Sequence, residues 1–222
     1  KDAQKYVPEI LESMIEKNLE CLKHITTPSN SLPLFNGSVE KDLTSFYEYI
    51  NHFKIKVKKQ KSSTGNIFVL KNKKDVIYFE AGNPPEKNYS SCYQSGPLSF
   101  EYFCDDHKII TNSGFGVNIS DKARLLSRFT SSQSALCLND TSIVGFEKSN
   151  LMNKAYGFLI NKDFKILNFE QKNDASEIKV RASHNAYLKN FGCIHNRSLS
   201  IDKINNKIAG RDIVLQKNLK LK

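Results

Sequence analysis

The sequence predicts a mainly β protein: an antiparallel β-sandwich over residues 64–222, preceded by a short α-helical segment over residues 1–60. Three observations carry this expectation. Apolar residues recur at helical spacing through the first sixty positions, then give way to short β-branched and aromatic runs. Turn residues separate those runs at intervals of roughly 8–15 residues, the rhythm of an antiparallel sandwich. A chain of 222 residues and 25.3 kDa has room for one large domain or two small ones, and no more.

The first helix is expected over 8–24, with Ile10, Leu11, Met14, Ile15, Leu19 and Leu22 at helical spacing. Pro8 suits its first turn, Glu9 and Glu12 complement its N-terminus, and the loop Thr26–Pro33 ends it. A second helix is expected over 41–56, with Leu43, Phe46, Tyr47, Ile50 and Phe53 on one face. Two helices cannot bury their apolar faces alone, so both should lean on one sheet. Strands are expected at Asn66–Leu70, Asp75–Ala81, Leu98–Cys104, His107–Thr111 and Ala135–Leu138. Four more follow at Phe164–Phe169, Glu177–Ser183, Ile194–Ile201 and Lys207–Leu215, and Asp121–Ser127 reads as a helical interruption.

Hydrophobic residues at 39% and charged residues at 25% exclude a disordered chain, a collagen repeat or a coiled coil. No apolar run approaches the ~18 residues of a membrane span. The net charge of +10 favours a polyanionic partner: nucleic acid, an anionic membrane surface or an acidic polysaccharide. Most of that excess lies in the β part, because the first sixty residues carry nine lysines against eight acids. Coding bias is the competing explanation, since only five of the 33 basic residues are the arginines that phosphate and base recognition favours. The low arginine count and the lack of any nucleic-acid-binding module argue against nucleic acid. Five widely spaced cysteines with no CxxC read as small buried hydrophobes in a reducing setting. The chain opens on Lys1 and not Met, so further sequence is expected to precede it.

No phosphate loop, nucleophile elbow or zinc-finger spacing occurs. Two polar segments stand out: Asn88–Glu101, a polar loop feeding an alternating strand, and Ala182–Arg197. The second gathers His184, Asn185, Tyr187, His195 and Arg197 within a short stretch. Such groups could supply a base, an acid and a donor that neutralises a carboxylate. The plainer reading is structural, with both histidines hydrogen-bonded at strand ends.

Gly96-Pro-Leu-Ser-Phe-Glu-Tyr102 followed by Ile109-Ile-Thr-Asn-Ser-Gly114 resembles the C-terminal β-domain of the heparinase II/III family, with its His-x-His-Ala-Asp-x-Leu-Ser-Phe-Glu strand. Arg128-Phe-Thr-Ser-Ser-Gln-Ser-Ala-Leu136 is similar to the family's Arg-x-Thr-x-x-His-Ser-Thr-Leu. Ala182-Ser-His-Asn-Ala-Tyr187 with Phe191-Gly-Cys-Ile-His-Asn-Arg197 resembles Ser-His-Asp-Gly-Tyr and Phe-Gly-x-x-His-Arg-Arg. Leu34-Phe-Asn-Gly37 fits the link between helices and β-domain.

The resemblance implies a polysaccharide lyase: a helical toroid followed by a β-supersandwich. Residues 1–60 would be the toroid's last helices, with most of the toroid outside this chain. Such lyases cleave uronate-containing acidic polysaccharides by β-elimination, in a periplasmic or cell-envelope location; the residues themselves leave the compartment open. The reaction needs the uronate carboxylate neutralised, the C5 proton abstracted and the leaving O4 protonated. The toroid supplies most of those groups in the family, and the β-domain supplies a histidine of the His-x-His pair.

That pair falls here on Cys92 and Gln94. The positions that hold zinc in some members fall on Gln94, Asn112 and Gln133. All three are amides, which are poor zinc ligands, so no metal or other cofactor is expected. By the resemblance, Gln94, His184, Tyr187 and His195 are the candidate catalytic residues. Tyr93, Arg128, Asn185 and Arg197 are the candidate substrate-binding residues. The alternative is a non-catalytic protein that binds acidic polysaccharide.

Overall fold

The computed structural model describes residues 9–53, 55, 64–147, 157–161 and 163–216. Pro8, all of the basic run 54–61 except Ile55, and the boundary near residue 60 lie outside them.

Helix α1 spans Glu9–Ile25, and α2 spans Thr44–His52. The second helix starts later than the periodicity suggests. Asp42 Oδ1 accepts the Thr44 N–H at 2.9 Å and the Thr44 hydroxyl at 2.7 Å, which satisfies a first-turn donor and fixes the start there. Eight strands follow: β1 Ile67–Asn72, β2 Asp75–Glu80, β3 Phe100–Cys104, β4 His107–Ile110, β5 Ile166–Asn173, β6 Glu177–His184, β7 Cys193–Asp202 and β8 Lys207–Gln216. They form two four-stranded antiparallel sheets, β1-β2-β3-β4 and β5-β6-β7-β8, each a meander of sequence neighbours. A short helix at Asp121–Leu126 and a single turn at Leu188–Phe191 interrupt the loops.

The sheets pack face to face. Leu70, Ile77 and Phe79 of the first meet Ile178, Val180, Ala182, Leu199 and Ile201 of the second in one buried cluster. Phe68 stacks on Phe169 across the gap, with ring centroids 4.0 Å apart. Strand alternation then sends Val76, Tyr78 and Phe103 to the outer face of the first sheet, where Phe35 covers them. The helical segment leans on this outer face, and the Tyr78 hydroxyl donates to the Thr26 carbonyl at 2.8 Å.

Two expectations are corrected. Ala135–Leu138 is not a strand: the Tyr187 hydroxyl donates to the Leu136 carbonyl and accepts the Leu138 N–H, so a side chain satisfies backbone groups that a neighbouring strand would otherwise take. Of the five cysteines only Cys193 is fully buried. All are free, and Cys92 is exposed.

Candidate active site

The link Leu34–Gly37 lies against the loop that precedes β3. Gly37 has φ +94°, and a Cβ there would come within 2.8 Å of Cys92 Cβ, so both conformation and space require glycine. Its N–H donates to Gln94 Oε1 at 3.0 Å. Glu101, fully buried, clamps the same link to the sheet. It accepts the Leu34 and Asn112 N–H groups and the Thr111 hydroxyl, at 3.1, 2.9 and 2.8 Å. Arg128, 1% exposed, donates to the carbonyls of Tyr93, Ser90 and Phe158 and lies over the Phe146 ring at 4.3 Å. Burial lowers its pKa to about 10. Those bonds brace the loop from beneath.

Gln94 and Gln133 meet on one carbonyl. Gln94 Nε2 donates to the carbonyls of Gly114 and Ser127, both at 3.0 Å, and Gln133 Nε2 donates to the same Ser127 carbonyl at 2.8 Å. Asn112 Oδ1 accepts the Ser134 N–H at 2.8 Å, while its buried Nδ2 has no partner. The N–H groups of Gln94 and Gln133 point at carbonyls, and among the described residues no three His, Cys, Asp or Glu side chains gather to hold a metal. These residues do not fit a zinc ion. Gln94 is 2% exposed, and both of its amide N–H groups are engaged by these carbonyls.

The second polar segment forms a separate interior network. His184, His195, Arg197 and Asp212 share the inner face of the second sheet, beyond its apolar part. The Ala186 N–H donates to His184 Nδ1 at 3.2 Å, so His184 carries its proton on Nε2. That Nε2–H donates to His195 Nδ1 at 3.1 Å, which leaves His195 Nε2–H to donate to Asp212 Oδ1 at 2.7 Å. Arg197 binds the same carboxylate with Nε and Nη2 at 2.7 and 2.9 Å, and gives Nη1 to the carbonyls of Leu98 and Ser134. Burial, with His195 and Arg197 nearby, lowers the His184 pKa to about 3. Burial alone would raise Asp212; hydrogen bonds from His195 and Arg197 overrule it and hold the carboxylate well below its usual range.

Both imidazoles are 0% exposed, and Tyr187 beside them is spent on Leu136 and Leu138. Asn185 Oδ1 accepts the Lys165 N–H at 2.7 Å. His184, His195, Tyr187 and Arg197 tie strand ends and loops together through these bonds.

An open site remains where the first sheet meets the link. A cavity of about 250 Å³ is lined by Asn36, Asn66, Glu80, Tyr89, Cys92 and Tyr93, among others. Glu80, 4% exposed, ends β2 on the same outer face as Val76 and Tyr78. Burial raises its pKa to about 8, although the Gly82 N–H and the Asn36 side chain hydrogen-bond to it, so Glu80 is largely a neutral acid at pH 7. The Tyr93 hydroxyl is buried without a partner, and burial together with Glu80 raises its pKa well above that of a free phenol. The sequence singles out Tyr93 but gives no sign of Glu80 or Asn36. The available signal was a carboxylate in register with apolar residues along Asp75–Glu80.

A two-sheet sandwich with a helical link docked on one outer face, and a polar cavity at that junction, is the architecture of the described residues. A family model described as "Heparinase II/III-like, C-terminal" matches residues 59–218, and the chain belongs to that family. Solved structures share the fold. A mutant heparan sulfate lyase HepC from Pedobacter heparinus matches with TM-score 0.65 and 18% identity, over 96% of this chain and 34% of that one. HepC without the mutation gives 0.64 and 18%, over 93% and 33%. A heparinase III with methylated lysines gives 0.66 and 14%, over 93% and 32%. This chain therefore spans about a third of the solved structures it matches. No curated protein matches the sequence.

Proposed function

We propose that the chain forms the β-side wall of a heparinase II/III-like polysaccharide lyase acting by β-elimination on a uronate-containing acidic polysaccharide. A helical toroid outside this chain forms the facing wall. The observation that carries the site is the cavity beside Cys92. It holds a carboxylic acid that stays largely protonated at neutral pH and a buried phenol with no hydrogen-bond partner among the described residues. Neutral O–H donors suit the first requirement of elimination. They hydrogen-bond a uronate carboxylate, which withdraws charge and acidifies the C5 proton without adding a competing anion. Glu80 and Tyr93 are assigned that role, and Asn36 orients Glu80. Proton abstraction falls to the facing wall, because no histidine lines the cavity.

The same absence favours the second reading, a non-catalytic protein that binds acidic polysaccharide. The full-length protein separates the two. Tyr93→Phe and Glu80→Gln should each lower unsaturated-uronate formation on an acidic polysaccharide, Tyr93→Phe on the order of 10²-fold, with polymer binding changed far less. Unchanged turnover in both variants would remove this cavity from the mechanism. Absence of turnover in the unsubstituted protein, with binding retained, would establish the second reading.

A further inference from the structure

The outer face of the second sheet, remote from the Glu80 cavity, carries a feature that the lyase chemistry does not use. Register places Lys172 directly opposite Lys179, and Arg181 and Arg211 on either side of Ser198. Like charges opposed across strands destabilise a sheet unless an anion lies between or above them. Lys172 has Asp174 at 2.6 Å, and Glu170 stands opposite Arg181 on the groove wall, yet Lys179, Arg181 and Arg211 form no ion pair among the described residues, which leaves the groove with four cations and one lining carboxylate. Between these walls β7 contributes only short polar side chains, Asn196 and Ser198, so the face dips into a groove of about 570 Å³. Arg181 Nε donates to Asn196 Oδ1 at 3.1 Å, which holds one wall in place.

We infer that this groove is a second polysaccharide-binding site, an exosite for a sulfated or carboxylated chain running across β6, β7 and β8. Arg181 and Arg211 stand on strands two apart, so about 10 Å separates their backbones, too far for one small anion to bridge. A polymer with anions at regular intervals answers both. Hydroxyl and amide groups on the floor match sugar hydroxyls. No aromatic ring lines the groove to stack a nucleobase, which single-stranded nucleic acid would exploit. The choice of polysaccharide rests on the lyase reading above. The groove's role would be to hold a distant part of the polymer, lowering KM for long chains without touching the chemistry.

The test uses the full-length protein, heparin as the probe, and two triple variants of equal charge change. Lys179→Ser/Arg181→Ser/Arg211→Ser should weaken heparin binding tenfold or more. It should also flatten the log–log salt dependence by roughly one unit per lost contact. Lys73→Ser/Lys74→Ser/Lys189→Ser, exposed elsewhere, should change both by less than half as much. Amide exchange on the unsubstituted protein provides an arm free of folding defects, and heparin should protect β6–β8 backbone amides. Equal losses in the two variants, no protection of β6–β8, or tighter binding of a charge-matched single-stranded oligonucleotide on this face would each overturn the exosite. Elimination of a short oligosaccharide reads the lyase activity separately, and the exosite variant should leave its rate unchanged.

Discussion

Replacing Glu80 by glutamine tests the chemical state on which the site rests. Glutamine keeps the shape of the neutral acid and cannot ionise, so it removes the cost of a buried carboxylate without opening a hole. The Glu80 pKa rises from 4.5 in the unfolded chain to about 8 in the folded one. Between those values the native state binds more protons than the unfolded state, so stability falls as pH rises through the window. A tenfold change in proton affinity is worth about 1.4 kcal/mol, so ionising Glu80 costs the fold about 5 kcal/mol at most. Hydration through the cavity mouth reduces that figure. Urea midpoints at pH 5 and pH 9 read the effect. Both proteins should unfold at similar urea at pH 5, and the Glu80→Gln variant should be the more stable by several kcal/mol at pH 9. Parallel pH dependences would refute a neutral Glu80, and with it the carboxylate-binding role.

Arg128→Ala strips three buried carbonyls of their donor and should cost about 3–5 kcal/mol in urea unfolding, with Arg128→Lys recovering only part of it. The His184 pKa lies below its unfolded value of 6.5, so its contribution is fully present above that pH and fades as pH falls toward 3. Nitrogen NMR at pH 6 should show His184 neutral with the proton on Nε2, and a protonated ring there would contradict the relay. Ile10, Met14 and Ile15 of α1 are each at least half exposed, so the 222-residue chain alone should bind a hydrophobic dye. Exchanging the three for glutamine should abolish the signal; a signal that persists would place the apolar patch elsewhere.

The architecture was legible because period-2 runs and turn residues are local signals. Eight of nine expected strands formed, and the failure at Ala135–Leu138 has a tertiary cause, since its backbone partner is a tyrosine hydroxyl about fifty residues away. The shared carbonyl of Gln94 and Gln133 joins two residues that lie about forty positions apart and that only the family pattern set side by side. Roles were less legible. His184, His195 and Arg197 look catalytic as a list of residue types, yet alternation along β6 and β7 turns them inward. Glu80 was hidden for the opposite reason: a strand-end glutamate reads as solvated, and its burial comes from tertiary neighbours such as Asn36, Asn66 and Tyr93.

The most direct measurement of the central claim is product chemistry. Full-length protein is incubated with heparan sulfate, hyaluronan and alginate, and the new chain ends are examined by ultraviolet absorbance and NMR. The lyase reading predicts slow formation of a C4–C5 double bond on the new non-reducing uronate of at least one polymer, in step with chain shortening. Shortening with saturated ends, or tight salt-sensitive binding with no shortening on any of them, would contradict it.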